Sequence, residues 1–472
     1  MRINWFSPLL PSRTDIAHFT SRLLPALSAK SEVVLWTDQP HWYPGLQKQA
    51  EVRRFDPGNM DWAGLEHAGA TFYNMGNDAR FHSGIWEVAR HYPGFAIMHD
   101  VFMHDSVWFH HHKKNDRAGY VKIMESLYGA SGRRDAEFHW DGVLSLDQMG
   151  RLYTCAPYML QSGLGAIVHS RAGERTLERE VAVPVTRLAL PFPARNAPGP
   201  HSSPPPWSLV VFGYLGSNRC LEQILTAFEG LENRDSFRLH IYGQIHDGDA
   251  VSALIARLQL GSVVTVHGFV PEAELNAALA GAHLALNLRF PTKGEASGSQ
   301  LRIWSHALPS IVTKIGWYAE QPEDTAVFIR PEAIVEDLRA RLDEYRTAPG
   351  RFRECGMKGY EHLVRTHSTQ QYAAAILEMG CHSEACLNSR QAPRAAGANA
   401  SPHRRDSRPP ARRGELEEIL DLASRSAYDF RLTAHPGDPL HYLFEEWVPY
   451  YRLKWAIARA LAPGWALWHS ED

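Results

Sequence analysis

The 472-residue sequence is poor in cysteine: it holds Cys155, Cys220, Cys355, Cys381 and Cys386, none of them in a CxxC pair. That spacing excludes a disulfide framework and a zinc ribbon, and predicts a reducing, cytoplasmic setting. An excess of one charge is also missing. A formal net charge of −3 removes the electrostatic case for nucleic acid as a partner. No apolar run approaches the roughly 20 residues of a spanning helix. The opening MRINWFSPLL starts a strand and lacks the apolar core and small-residue cleavage site of a signal peptide. What is present is 44% hydrophobic and 21% charged residues, enough to bury large cores, in a chain long enough for two or three domains.

Short apolar runs alternate with helical patterns from the start: RINWFS, a helix around IAHFTSRLLPALSAK, then EVVLWT. Such alternation predicts parallel strands joined by crossover helices. Further strands are expected at ATFYNMG, GFAIMHD, GAIVHS and VTRLALP, completing one α/β domain over 1–196. The Pro/Ser/Gly stretch APGPHSSPPP predicts a linker at 197–206. The pattern then restarts over 207–385 with strands WSLVVFGYLG, FRLHIYG, VVTVHGF, HLALNLRF and LPSIVT separated by helical segments. The expected fold class is therefore α/β: two doubly wound, Rossmann-like domains whose strand ends face each other across a ligand cleft. From 386 to 414 the composition turns to Arg, Pro, Ala and Ser without apolar periodicity and predicts disorder. Residues 415–472 read as a short helical tail.

Two loops have the composition of anion sites. GSNRCLEQ follows the strand SLVVFGYLG, so Gly216, Ser217 and Asn218 would lead into a helix whose free N–H groups, with Arg219, suit a diphosphate. An ordinary Ser/Asn-capped helix reads the same way. RFPTKGEASGSQLRIWSHALP repeats the logic, with Gly294, Glu295, Ser297, Gly298 and Ser299 before a helix bearing Arg302. Glu295 there is either a charge on the helix dipole or an acceptor for sugar hydroxyls.

EASGSQLRIWSHALPSIV, after a strand and RFPTKG, resembles the donor-site signature of family-four glycosyltransferases, retaining enzymes of the GT-B fold. FSPLLPSRTDIAHFTSRLLPAL, YNMGN, MHDVFMHD and GAIVHS match that family in order, so the resemblance covers about residues 1–380. It implies a nucleotide-diphosphate sugar as donor substrate, a glycan or lipid-linked acceptor, no cofactor and no essential metal. It assigns Glu295 and His99 to catalysis. It assigns Gly216, Ser217, Asn218, Arg219, Ser297, Gly298, Ser299 and Arg302 to the donor phosphates, and Asp15, Asn77, Asp100 and His104 to the acceptor or sugar side. The sequence departs from the family at three points. The glutamate that usually holds ribose falls on Ile303, one of two phosphate-binding cations falls on Tyr214, and Asp15 stands where many members have glycine.

AIMHDVFMHDSVWFHHHKK, residues 96–114, raises a rival reading. His99 and His104 would give two ligands of a metal-dependent hydrolase, although adjacent His110, His111 and His112 diverge on a helix and cannot converge on one ion. With Trp108, Phe109, Lys113 and Lys114 they read as a solvated helix face, or as a peripheral contact with a membrane or lipid-linked acceptor at the inner membrane. Asp247 and Asp249 in HDGDA form a DxD-like pair that reads as a turn. The departures also leave open a catalytically weak sugar-nucleotide-binding module. In the tail, PLHYLFEEWVPYYRLKWAIARAL resembles the lead-in helices of S-adenosylmethionine-dependent methyltransferases, but APGWALWHSED lacks the glycine-rich cofactor loop, so no methyl transfer is expected from it.

Overall fold

The computed structural model describes residues 1–195 and 203–391, the last ten by backbone alone. Most of the expected linker, and the expected tail with its methyltransferase resemblance, lie outside the described residues.

The first sheet has strands β1 (Arg2–Phe6), β2 (Glu32–Thr37), β3 (Glu51–Arg54), β4 (Ala70–Met75), β5 (Phe95–Met98), β6 (Gly165–Val168) and β7 (Val185–Arg187). The second has β8 (Trp207–Leu215), β9 (Phe237–Ile245), β10 (Val264–Gly268), β11 (Leu284–Leu286), β12 (Ser310–Thr313) and β13 (Val327–Ile329). Their orders are β3-β2-β1-β4-β5-β6-β7 and β10-β9-β8-β11-β12-β13, so each domain reverses direction beside its first strand. Every strand pair is parallel. Helices cover both faces of such sheets, which is why β4, β5 and β6 are buried at every position.

The helix Asp15–Ser28 shows how local sequence sets this geometry. Thr14 caps it by accepting from the Ile16 N–H, and Leu23, Leu24 and Leu27 are buried along one side. The helix Thr369–Gln391 packs on it and on β4, with Tyr372, Ala373 and Ile376 in the same apolar cluster as those leucines. The chain thus returns to the first domain after completing the second: the Tyr372 ring stands edge-on to Phe19 at 5.8 Å. That helix also runs past 385, so residues 386–391, expected to be disordered, are helical.

Between β5 and β6 the first domain carries the helices His104–Lys113, Arg117–Trp140, Leu146–Leu152 and Ala156–Met159, the second broken at Gly129. The histidine-rich segment lies here. Phe109, His112, Lys113 and Lys114 form the expected solvated face, whereas Trp108 and His111 pack inward, with His110 at 3.4 Å from Glu87 and His111 at 2.8 Å from Asp116. Phe109 remains 48% exposed.

Direct contacts hold the domains together. Arg171 and Ala172 N–H groups, at the start of the helix Arg171–Glu180, donate to Glu320 at 2.8 Å each. Lys293 pairs with Asp105, and its carbonyl accepts from the Phe102 N–H at 3.3 Å.

Candidate active site

A cleft of about 690 Å³ lies between the domains. Its walls are the segments that follow β1, β4, β5, β6 and β7 on one side and, on the other, the last residues of β8 and β9 with the segments that follow β10 and β11. These are the C-terminal strand ends, where open parallel sheets bind ligands.

On the first-domain wall, Asn74 at the end of β4 organises the histidines. Its amide nitrogen donates to the Phe6 carbonyl at 2.9 Å, which leaves Oδ1 to accept from His99 Nε2 at 3.0 Å. The His99 proton therefore sits on Nε2, and Nδ1 carries a lone pair. Burial, followed by His169 and His82, drives the His99 pKa well below the ordinary value and keeps the ring neutral. His82 and His169 are pushed down to about 4, also chiefly by burial. His82 faces the Asn74 carbonyl at 3.0 Å and His169 faces the Leu188 carbonyl at 3.1 Å. Asp100 accepts from the Asn77 N–H at 2.8 Å. Burial and then the nearby Glu295 raise its pKa to about 6.

On the second-domain wall, Glu295 is gripped on both oxygens. Oε1 pairs with Arg289, while Oε2 accepts from Thr292 Oγ1 at 3.0 Å and the Lys293 N–H at 2.6 Å. Burial pushes its pKa up, but Arg289 and the N–H donors outweigh that and hold it ionised below the ordinary value. Glu295 reaches the cleft with its orientation already set. Behind it the helix Gly298–Ser305 starts at Ser297, whose Oγ accepts from the Gln300 N–H at 3.1 Å and from the Tyr318 hydroxyl at 2.8 Å.

The structure brings Asp15, Asn77, His99, Asp100, Glu295, Gly298, Ser299 and Arg302 together as cleft lining. It places the other candidates elsewhere. Ser297 is buried as the helix cap. His104 is fully buried among the inserted helices, with Nε2 at 2.7 Å from the Tyr120 hydroxyl. Because His99 faces the cleft and His104 does not, the two cannot bind one ion. Among the described residues no group of three or more His, Cys, Asp or Glu is arranged to hold a metal.

Gly216, Ser217, Asn218 and Arg219 also stand outside the lining. Ser217–Arg219 form a single 3-10 turn, and Cys220 in the left-handed region (φ 55°) separates it from the helix Leu221–Glu229. The expected continuous helix start is absent. Arg219 is buried, and its Nη2 donates to the Phe212 carbonyl at 3.1 Å and Asn287 Oδ1 at 3.0 Å. Gly213, with φ 115°, is the glycine that lines the cleft instead. A Cβ there would stand 3.8 Å from Arg219 Nη2, so the buried guanidinium lies just beneath that floor.

The three departures take clear positions. Ile303 is fully buried against a core containing Val210, Phe212 and Leu279. Tyr214 lines the cleft and is 55% exposed. Asp15 sits in the first turn of its helix, facing the cleft. Asp247 of the DxD-like pair caps the helix Gly248–Arg257 by accepting from the Ala250 N–H at 3.0 Å, and Asp249 lies in that helix, not in a loop.

Sequence reasoning missed Asn74, His82, His169 and Arg289. Arg289 carries a usable signal, a cation beyond a strand and six residues before a buried carboxylate. The histidines carry none, since their partners are backbone carbonyls, which any residue supplies.

Neither a family model nor a curated protein sequence matches the chain. Solved structures do. Sucrose-phosphate synthase from Thermosynechococcus elongatus aligns at 14% identity over 82% of this chain and 100% of that one, with a TM-score of 0.58. A glycosyltransferase from Rickettsia africae aligns at 12% identity over 81% and 98%, with a TM-score of 0.55. HepE of Anabaena, in complex with UDP-glucose, aligns at 11% identity over 80% and 100%, with a TM-score of 0.53. At these identities the likeness concerns architecture, and the chain has the GT-B fold of two Rossmann-like domains facing a cleft.

Proposed function

We propose that this protein is a retaining glycosyltransferase that moves a sugar from a nucleotide-diphosphate donor to a glycan or lipid-linked acceptor in polysaccharide or glycoconjugate synthesis. The observation that carries the reading is the convergence of a fixed glutamate, a neutral histidine and a helix start in one cleft. Glu295, His99 and the Gly298–Ser299 N–H groups approach it from facing domains. The HepE neighbour, solved with UDP-glucose in a like fold, supports the donor class.

Breaking the bond between sugar and diphosphate builds negative charge on the leaving group. The main-chain N–H groups at Gly298 and Ser299 supply preorganised positive potential for it, and Gly213 allows close approach. The lone pair on His99 Nδ1 accepts from a hydroxyl of the donor sugar. Glu295, held by Arg289, orients that sugar from the other side. The acceptor hydroxyl then attacks the anomeric carbon from the face the leaving group departs, without a protein nucleophile, as the sugar–phosphate C–O bond breaks and the hydroxyl proton passes to the departing phosphate oxygen. The contacts from Glu320 and Lys293 to the first domain hold the two walls in register, so donor and acceptor groups meet in a fixed geometry. A cytoplasmic protein reaching acceptors at the inner membrane fits the exposed Phe109 beside Lys113, and no helix among the described residues is long and apolar enough to cross a membrane.

The test is incubation with UDP- and GDP-sugars and a panel of glycan and lipid-linked acceptors, with the product anomer read by NMR. Product of retained configuration, lost in Glu295→Ala, is the expected result; full activity in that variant removes the assigned role. A second reading, a weakly catalytic sugar-nucleotide-binding module, is favoured by the burial of Ile303 and Arg219 and by Tyr214 in a cation's place. Tight nucleotide binding with no turnover on any acceptor would select it.

A further inference from the structure

The helix Asp15–Ser28 turns Asp15, His18, Phe19 and Arg22 toward the cleft, the i, i+3, i+4, i+7 spacing of one helical face. Three of these have evident partners or neighbours. Phe19 packs edge-on against His99 at 4.7 Å, His18 Nδ1 meets Glu272 Oε2 at 3.3 Å, and Asp15 opens the helix. Arg22 is different.

Its guanidinium lies over the Phe192 ring, 4.6 Å from the centre, at the end of the cleft where Leu190, Pro191 and Phe192 lead from one domain to the other. Among the described residues it forms no ion pair, and its Nε is buried without a hydrogen-bond partner. Another cation, Arg302 from the second domain, lines the same cleft. Burial and then Arg302 lower the Arg22 pKa to about 10, outweighing the pull of Asp15 and Glu272.

Glu272 cannot neutralise both arginines. It already accepts from Arg302 Nη2 at 3.0 Å and faces His18, while Arg302 Nη1 reaches Asn276 Oδ1 at 3.3 Å. A desolvated guanidinium facing a like charge is unfavourable unless an anion joins them. An aromatic floor beneath it holds the planar group flat and leaves its N–H edge free for two parallel hydrogen bonds to a phosphate or carboxylate.

We infer that Arg22, above Phe192, with Arg302 in the same cleft, forms an anion subsite at the connector end that holds a phosphate or carboxylate group of the acceptor sugar. The inference rests on the transfer reading and narrows its acceptor to an anionic sugar. It is separate from the place assigned to the donor diphosphate. That place is the helix start at Gly298 and Ser299, whereas the Arg302 side chain turns to Glu272 and Asn276 on the helix Glu272–Gly281.

The experiment is calorimetric titration of the full chain, saturated with UDP or GDP, with glucose 6-phosphate, glucuronate and neutral glucose. A separate titration without nucleotide uses inorganic phosphate. At least one anionic sugar should bind about tenfold or more tightly than glucose, the value of one charge-assisted pair. The phosphate and carboxylate arms show which anion is preferred. Arg22→Gln should abolish the preference and leave nucleotide affinity within about twofold, since one removed N–H fork acts only on its own ligand. Equal binding of glucose and both anions by the wild type overturns the inference, as does an unchanged preference in Arg22→Gln. Equal weakening of nucleotide and anionic sugar would assign Arg22 to the diphosphate instead and also overturn it. Should Arg22→Gln not fold, Arg22→Lys decides: it keeps the charge but loses the fork, so an undiminished preference overturns the proposal. Failure of the wild type to bind any nucleotide counts against the transfer reading alone, because the inorganic phosphate titration still reports on Arg22.

Discussion

The first-domain wall of the cleft presents His82, His99 and His169 as neutral rings, each facing a carbonyl or amide oxygen, whereas the second-domain wall presents Arg289 and Glu295 ionised and paired. Both sets are largely withdrawn from water. Their different charge states follow from whether burial brings a counter-charge with it. A histidine opposite a carbonyl oxygen keeps one proton, and desolvation removes its charge. The Arg289–Glu295 pair recovers by mutual attraction what desolvation costs, and both members stay charged. One wall can thus accept hydroxyl protons without repelling a diphosphate, and the other can hold a fixed carboxylate.

The comparison breaks most severely at the charged pair. Glu295→Ala leaves Arg289 buried without its carboxylate and should destabilise the protein by about 4 kcal/mol in denaturant unfolding. His99→Ala, which removes a neutral ring, should cost less; an equal or greater loss would contradict the contrast.

Acidification tests the neutral wall. His82 and His169 are lowered from 6.5 to about 4, so the unfolded chain binds protons that the folded one refuses, and stability is lost as pH falls from 6.5 toward 4. Each contributes about 3 kcal/mol by the free energy of a pKa shift. Asp100, raised from 3.8 to about 6, works the other way and returns about 3 kcal/mol over part of that window. These three groups together give a loss of about 3 kcal/mol between pH 6.5 and 4, and His104 and His367, lowered from the same ordinary value chiefly by burial, add to it in the same direction. A flat stability profile over that range would contradict the neutral assignment.

A smaller effect is expected where the walls meet. Lys293 and Asp105 are paired across the domains, with side chains 29% and 12% exposed. Between the surface and buried limits, Lys293→Ala should cost about 2 kcal/mol and loosen closure, raising KM more than it lowers kcat. Smallest of all, Ser297→Ala removes a helix cap and should cost about 1 kcal/mol. A larger donor-affinity loss than stability loss in that variant would return Ser297 to the phosphate site.

Legibility in the sequence tracked how local each cause was. Eleven strands were visible as apolar runs, but β3 and β13 were not. β3 is EVRR, an edge strand with no buried position, and β13 is the edge strand VFI, with one buried position. At the site, the loop from Glu295 to Arg302 was readable because composition and helix start coincide in one short stretch. GSNR had the same composition and a different outcome: Cys220 takes a left-handed conformation, and Arg219 turns into the interior toward Asn287, 68 residues away.

What the sequence determined by itself was the repeated strand–helix alternation, hence two parallel sheets, because each element's periodicity states which of its faces must be buried. Only the tertiary structure decided which of several similar loops reach the cleft, that Thr369–Gln391 returns to the first domain, and that Arg22 has no ion-pair partner among the described residues. Those outcomes depend on partners far apart in the chain, whose meeting is set by how whole elements pack.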